Sequence, residues 1–599
     1  MKYSDYFVDQ LVSMGYTHCF YVSGGNVMHL LESARTRMVC VAVTHEVSAA
    51  VAVEYFNVAN RNSNRRAVAF VTAGPGLTNA MTGMAGAWLE SRELLIVGGQ
   101  ARSNLMSRGT VRQIGHQEID GVEMASSVSK ISTLIDRPIS GKEISMLAEK
   151  SFEGRKGPVF LEVCLDVTLM DVEFQQIDSA KNRTVHNTLN APIDAMNQVK
   201  DLLIHSKRPL IMVGGGLEFK TFVQGCEVLK RLGLPISTTW NASDYLDYEC
   251  EIYAGRPNTY GMRWANAVIQ QCDLLISIGA RLGLQQTGFN VDQFAPVAKI
   301  VRVDIDPLEL ARQVPHTDLK IESDASAFFN QLVNEISKLE PSQDWKDWLG
   351  YIHEIKHTLN VNEKSNAIYV DLVNPFALVT ELSDLVSNND LVIPCSSGGA
   401  YTSMMQAFKQ KQGNLLTNNK GLASMGYGLA GAIGTSIAHP SSRVILVEGD
   451  GGFAQNLQEL GTVANNHLNL KMFIFDNGGY ASIRISQKSY FQEQYMGCDI
   501  ETGIQLPDWK ILCQAWGIRC VEVTGELSKN PDAMDAFHSK SPALFVIKIH
   551  KDQPFLPKIT SKVNTDGTIV SNPIHLMHPP LEENIAEKVF RYLPNDLRK

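Results

Sequence analysis

The sequence predicts an α/β protein built from three doubly wound parallel-sheet domains. Three observations carry this. Short β-branched runs, several of them ending in glycine, alternate with helix-length stretches along most of the chain. Polar segments interrupt the alternation and leave three blocks of similar size. The length of 599 residues also exceeds what one hydrophobic core organises.

The first block, residues 1–175, begins with HCFYV at 18–22. It continues through VCVAV at 39–43, AVAFVT at 67–72 and ELLIVGG at 93–99, and closes near VFLEVCLDV. Runs this continuously apolar suit strands covered on both faces of a parallel sheet. The polar stretch Gln175 to Asn190 reads as a linker. The second block, 190–340, holds RPLIMVGGGL, CDLLISIGARL and AKIVRVDIDP. Its Gly214-Gly215-Gly216 lacks the GxGxxG spacing of a dinucleotide loop and reads as a structural turn. The third block, 370–551, opens near Val370 and contains LVIPCSSGG, RVILVEGDGG, KMFIFDN and ALFVIKI, while residues 552–599 form a tail expected on the surface. The whole reads as three Rossmann-like domains.

Composition narrows the function classes. A net charge of -9 with no basic run gives no reason to expect a nucleic acid or an anionic membrane as partner. The amino terminus has no signal-peptide core and the chain no membrane-length apolar run, so a cytoplasmic location is expected. Ten cysteines scattered without CxxC spacing read as buried thiols of a reducing compartment.

Chemistry concentrates at two strand ends. Gly449-Asp450-Gly451 closes the run RVILVE; Asp450 offers a hard oxygen to a divalent cation, and the amides of Gly451 and Gly452 face an anion at the next helix start. Phe453 to Asn466 reads as that helix. Lys471 to Phe475 reads as the neighbouring strand, ending in Asp476 and Asn477, with the Asn477 amide oxygen and a carbonyl near Gly479 as further ligands. By itself GDG also fits a plain strand-to-helix turn. In the first block Thr44-His45-Glu46 opens the helix VSAAVAVEYF, where a carboxylate also serves as a capping or dipole contact. Thr72 to Asn79 (TAGPGLTN) and Gln113 to Glu118 (QIGHQE) lie close by.

In this order the features resemble the thiamine-diphosphate (ThDP) dependent superfamily of acetolactate synthases, pyruvate decarboxylases and pyruvate oxidases, over nearly the whole chain. The resemblance implies a pyrimidine-binding first domain, a middle domain and a diphosphate-binding third domain, with ThDP and Mg²⁺ as cofactors. Asp450, Asn477 and Gly479 match the metal ligands of the family's GDG…NN motif; Asp476 stands for the first Asn and makes the site more acidic. Glu46 matches the family's catalytic Glu, which bonds the aminopyrimidine ring. Gly74 to Asn79, with Pro75 and Asn79, matches the GPG-x-TN loop, Ala73 replacing a Ser. His116-Gln117-Glu118 matches an FQE triplet, so Gln117 carries over, and His116 reads either as a proton relay or as polar lining. Met425, after Ser424, matches the residue that wedges the cofactor into a bent form. Gly25, Ser397, Gly398, Gly399, Gly449, Gly451, Gly452, Tyr480, Ala481 and Ile483 are the remaining implied cofactor contacts. Ser486 falls where acetohydroxyacid synthases carry a Trp, which implies a different acceptor pocket. Gly279-Ala280-Arg281 and Asp304-Ile305-Asp306-Pro307 resemble a flavin-holding segment that related enzymes also keep without flavin, so FAD stays open. The implied reaction is decarboxylation of a 2-keto acid such as pyruvate, with transfer of the two-carbon unit to a carbonyl acceptor as large as a ketosugar. Simple decarboxylation to an aldehyde and a non-catalytic ThDP-binding paralogue are the alternatives. The family's two half-sites come from different subunits, which implies a homodimer or a dimer of dimers.

Overall fold

A computed structural model describes residues 1–173, 188–359, 361–367, 369, 372–563 and 566–598. Most of the expected linker Gln175 to Asn190, and Val370, lie outside the described residues.

Three parallel sheets follow in order. The first contains β1 Tyr16–Tyr21, β2 Val39–Ala42, β3 Arg66–Val71, β4 Leu94–Gln100, β5 Ile131–Ile135 and β6 Pro158–Cys164, arranged β2-β1-β3-β4-β6-β5. The second contains β7 Pro209–Val213, β8 Ile236–Thr238, β9 Leu274–Ile278, β10 Lys299–Asp304 and β11 Leu319–Glu322, arranged β11-β10-β9-β7-β8. The third contains β12 Leu391–Pro394, β13 Leu415–Leu416, β14 Val444–Gly449, β15 Leu470–Asp476, β16 Arg519–Val523 and β17 Ala543–Lys548, arranged β13-β12-β14-β15-β17-β16. The first and third sheets therefore share one topology. The central strands β3, β6, β9 and β15 are buried along all or nearly all of their length, as covered parallel strands require.

The two matching domains pack through equivalent helices. Helix Glu46–Ala59 follows β2, helix Tyr427–Ala438 follows β13, and both are apolar nearly all round. A Cβ at Gly434 would overlap the backbone of Ala52, and one at Gly431 would meet the Tyr55 ring. Small residues here let the backbones touch, and one hydrophobic cluster continues from Val51 and Tyr55 through Tyr427, Ala430 and Ile433.

Two expectations need correction. The helix expected over Phe453 to Asn466 is broken: a 3₁₀ stretch Ala454–Glu459 separates two short α segments, and Asn456 sits at φ -139°. The Asn456 amide donates to the Gly426 carbonyl (3.1 Å) and the Ser48 hydroxyl (3.0 Å), bonds a regular helix would not direct there. Nor does the tail merely cover the surface. Ile574, Val589, Phe590 and Leu593 enter the middle domain's core, and the Tyr351 hydroxyl and Gln271 amide bond the Val589 carbonyl.

Candidate functional site

The turn after β15 is tied to the helix start after β14 by one carboxylate. Asp450 Oδ2 accepts the amides of Asn477, Gly478 and Gly479 at 2.9, 2.8 and 3.0 Å, and Oδ1 accepts that of Gly451 at 2.6 Å. Burial, and next the charge of Asp476, push the Asp450 carboxyl up to about 7 against the pull of those amides. A carboxylate so placed is stabilised by any cation set against it. Beside it, Asn477 Oδ1 is buried and has no hydrogen-bond partner among the described residues. Such an orphan costs about 1–3 kcal/mol, which a bound cation recovers. The Gly479 carbonyl accepts Ala481 N at 3.0 Å and keeps a second lone pair. One carboxylate, one amide oxygen and one carbonyl form a hard-oxygen donor set of the kind Mg²⁺ takes. The added acidity expected from Asp476 is offset in part, because Lys548 Nζ lies 2.6 Å from its Oδ2.

Above this turn lies an apolar lip. The Ser424 carbonyl accepts the Ser396 hydroxyl at 2.6 Å, fixing the segment before Met425 to the end of β12. The Tyr480 ring lies against Gly451; its hydroxyl is 3.4 Å from Gln455 Nε2, which also reaches Met425 Sδ at 3.6 Å. Met425 and, on helix Ala481–Tyr490, Ile483 remain 38% and 47% exposed. Ser397 and Gly398 open helix Gly398–Ala407, and the Phe555 ring covers Gly399. Gly449 faces open space and Gly452 packs beside Glu448. Ser486 is exposed and bonds back to the Ser482 carbonyl at 3.0 Å.

The first domain gathers its own set at the ends of β1, β2 and β3. Glu46 is buried at the first position of its helix, and its Oε2 accepts Asn79 Nδ2 at 2.9 Å, so the GPG-x-TN loop orients the carboxylate. Gly74 holds φ +67°, and a Cβ there would strike the Gln117 carbonyl at 2.5 Å, so a residue with a side chain is excluded twice over. Pro75 occupies the first turn of helix Pro75–Leu89, where its missing N–H is harmless. Gln117 itself sits at φ +59°, and the His116 carbonyl accepts Asn26 Nδ2 at 3.3 Å, next to Gly25. Glu118, absent from the expected site, organises this loop. Its carboxylate accepts Ser107 N and Oγ (2.5 and 2.7 Å) and the amides of Ile114 and Gly115 (both 2.9 Å). Burial alone would raise its pKa; these bonds outweigh burial and bring it to about 2.

The first and third domains touch within the chain through residues that sequence reasoning missed. Glu459 Oε1 accepts Thr44 N and His45 N, each at 3.1 Å, and Asn456 links Ser48 to Gly426. The bonds from Glu459 to Thr44 and His45, and from Asn456 to Ser48, join residues more than 400 positions apart, and no local signal announces them. A separate cavity of about 780 Å³ opens between the first and middle domains, lined by Arg92, Gly215, Gly279, Arg281 and Asp304 among others.

Comparison with known proteins agrees with this layout. The descriptions thiamine pyrophosphate enzyme N-terminal TPP binding domain, central domain and C-terminal TPP binding domain match residues 1–124, 196–332 and 397–547 in turn. An acetolactate synthase large subunit from Cyanidium caldarium is 30% identical over 497 residues, covering 80% of this chain and 81% of its own. This chain belongs to the thiamine-diphosphate-dependent acetolactate synthase family. Its membership extends over nearly its full length: the acetolactate synthase isozyme 2 large subunit of Escherichia coli (strain K12) is 27% identical over 568 residues, 93% of this chain and 97% of that one. The Porphyra purpurea acetolactate synthase large subunit is 27% identical over 575 residues, 92% of each. As a member of that family the protein is a ThDP-dependent enzyme of the acetolactate synthase type.

Proposed function

We propose that this acetolactate synthase family member decarboxylates pyruvate and transfers the two-carbon unit to a carbonyl acceptor, with Mg²⁺ joining ThDP to the third domain. The buried, partnerless Asn477 oxygen beside the Asp450-tied turn is the observation that carries the cofactor assignment. Asp450, Asn477 and the Gly479 carbonyl would hold the metal, and the amides of Gly451 and Gly452 the diphosphate. When bound, ThDP supplies an electron sink for the carbanion left as CO₂ departs. Glu46, with Oε2 committed to Asn79, keeps Oε1 for a proton at the ring nitrogen of the aminopyrimidine. Met425 and Ile483 would close the pocket against water, and Gln117 and His116 would orient substrate. Domains at 1–175, 190–340 and 370–551, with the tail 552–599, are the division we assign. The acceptor side is read as roomier than in acetohydroxyacid synthases, because Ser486 is small, and this supports an acceptor as large as a ketosugar.

The paired half-sites belong, in this reading, to different chains of a homodimer or dimer of dimers. The ten unpaired thiols suit a reducing compartment such as the cytoplasm. FAD in the 780 Å³ cavity is a separate assignment, supported by Gly279 to Arg281 and Asp304 on its wall, and a flavin absorbance band in the purified protein tests it. The central experiment incubates the chain with ThDP, Mg²⁺ and pyruvate, with and without aldehyde and ketone acceptors. CO₂ and ligated products are followed by mass spectrometry. Acetaldehyde as the sole product defeats the carboligase reading, and absence of CO₂ defeats the whole assignment.

A further inference from the structure

Among the described residues, every buried cation but one makes at least one hydrogen bond or ion pair through its side chain. Arg92 pairs with Glu54 at 2.7 Å, Arg256 donates to the carbonyls of Met405 and Phe408, and Lys471 donates to those of Ser539 and Ser541. Lys420 is different. It is 6% exposed, yet its ammonium makes no hydrogen bond and no ion pair with any described residue. It stands instead over two aromatic faces, 4.5 Å from the Tyr260 ring centre and 4.6 Å from that of Tyr401. The two rings meet edge to face at 6.1 Å. The Tyr401 hydroxyl is also buried without a partner. Glu90, whose charge reaches Lys420, is already committed to Trp240, Asn241 and the Gly421 amide. Burial draws the Lys420 amine down to about 8, so the site holds its proton at a cost that an anion would remove.

Location gives the pair a use. In the chain Lys420 lies between β13 and Met425, within charge range of Cys395, which follows β12, and β12 adjoins β14, which leads into Asp450. Ligands of such sheets bind at that edge. Tyr401 belongs to helix Gly398–Ala407, and Tyr260, from the middle domain, is 38% exposed and opens the place to the outside.

We propose that Lys420, backed by Tyr260 and with the Tyr401 hydroxyl as a second donor, recognises a carboxylate or phosphate carried by the second, carbonyl substrate. This rests on the carboligase reading above and involves binding alone.

The test uses the full chain with ThDP, Mg²⁺ and pyruvate as donor, and acceptors matched in pairs. Glyoxylate against propanal probes a carboxylate; glyceraldehyde 3-phosphate against glyceraldehyde probes a phosphate. Lys420→Met is expected to lower the anionic-to-neutral ratio of kcat/KM in one pair by roughly tenfold or more, through KM, whereas Lys420→Arg retains most of it. An unchanged ratio in both pairs, or an equal fall for charged and neutral acceptors, overturns the proposal. A second readout needs no turnover: trace acetylation of wild-type Lys420 by acetic anhydride, followed by peptide mass spectrometry. Millimolar glyoxylate or inorganic phosphate should slow it several-fold. If neither protects, Lys420 is not an anion site, whatever reaction the enzyme performs. If the wild-type chain ligates no acceptor, the carboligase reading fails, and the labelling alone decides the anion site.

Discussion

In the proposed cation site Asn477 would offer a neutral oxygen and Asp450 a charged one, and the two should fail differently when changed. Asn477→Ala removes a ligand without disturbing the three amides on Asp450, because those come from the backbone of the same turn. The Mg²⁺ concentration needed for half-maximal ThDP binding, read by intrinsic fluorescence, should rise about 10–100-fold; an unchanged requirement removes Asn477 from the metal. Glu46→Gln should instead leave cofactor binding intact and lower CO₂ release by about 10²–10⁴-fold, the range for losing a placed acid–base group. Cofactor lost together with activity would make Glu46 a folding residue. The places of Asp450, Asn477 and Glu46 in the fold were legible in the sequence because each follows an apolar run at the point where a strand turns into a helix. The ion-pair partner of Asp476 was not: Lys548 arrives from β17, 72 positions away, and only the sheet order makes them neighbours.

Elements show the same division between local and assembled information. The buried central strands were readable as apolar runs, whereas β5, β8, β11, β13 and β16, which were not anticipated, all lie at sheet edges. Edge strands are short or half exposed, as in the RCVEV of β16, so they carry no continuous apolar signature. The loop from Ser107 to Glu118 is likewise irregular in sequence yet ordered by one carboxylate. Glu118 titrates near 2 in the folded chain against an ordinary 4.5, so its contribution is full above about 4.5 and lost as pH falls toward 2. Glu118→Gln should accordingly cost stability at neutral pH, with wild type losing its advantage through that acidic window, as measured by urea unfolding at stepped pH. A gap that persists at the acid end would mean the carboxylate's charge is not what holds the loop. At the helix contact, Gly434→Ala would drive a Cβ into Ala52 and should cost about 1–3 kcal/mol in the same assay.

At the scale of the whole molecule, two domains of one topology pack so that the helix after β2 meets the helix after β13. Within one chain that contact runs through Glu459 and Asn456, while the Glu46 carboxylate bonds Asn79 in its own domain. Meanwhile Ile483, Tyr490, Phe491, Met496 and Ile500 stay exposed along the segment following the metal turn. Large apolar side chains left in succession beside a half-site call for a cover. On the proposed homodimer, a second copy placing its Glu46 over this chain's Met425 would supply both the cover and the other half of the site, and a closed two-fold pair would do so twice. The consequence is testable by complementation. At a Mg²⁺ concentration that saturates wild type but lies below the raised Asn477→Ala requirement, Glu46→Gln chains and Asn477→Ala chains are each expected to be nearly inactive, but coexpressed under different tags they should form mixed dimers. One of the two sites in a mixed dimer then combines an intact Glu46 with an intact Asn477, and random pairing yields about a quarter of wild-type CO₂ release. If both halves came from one chain, no combination of these chains would restore activity, and the exposed apolar segment would need another partner.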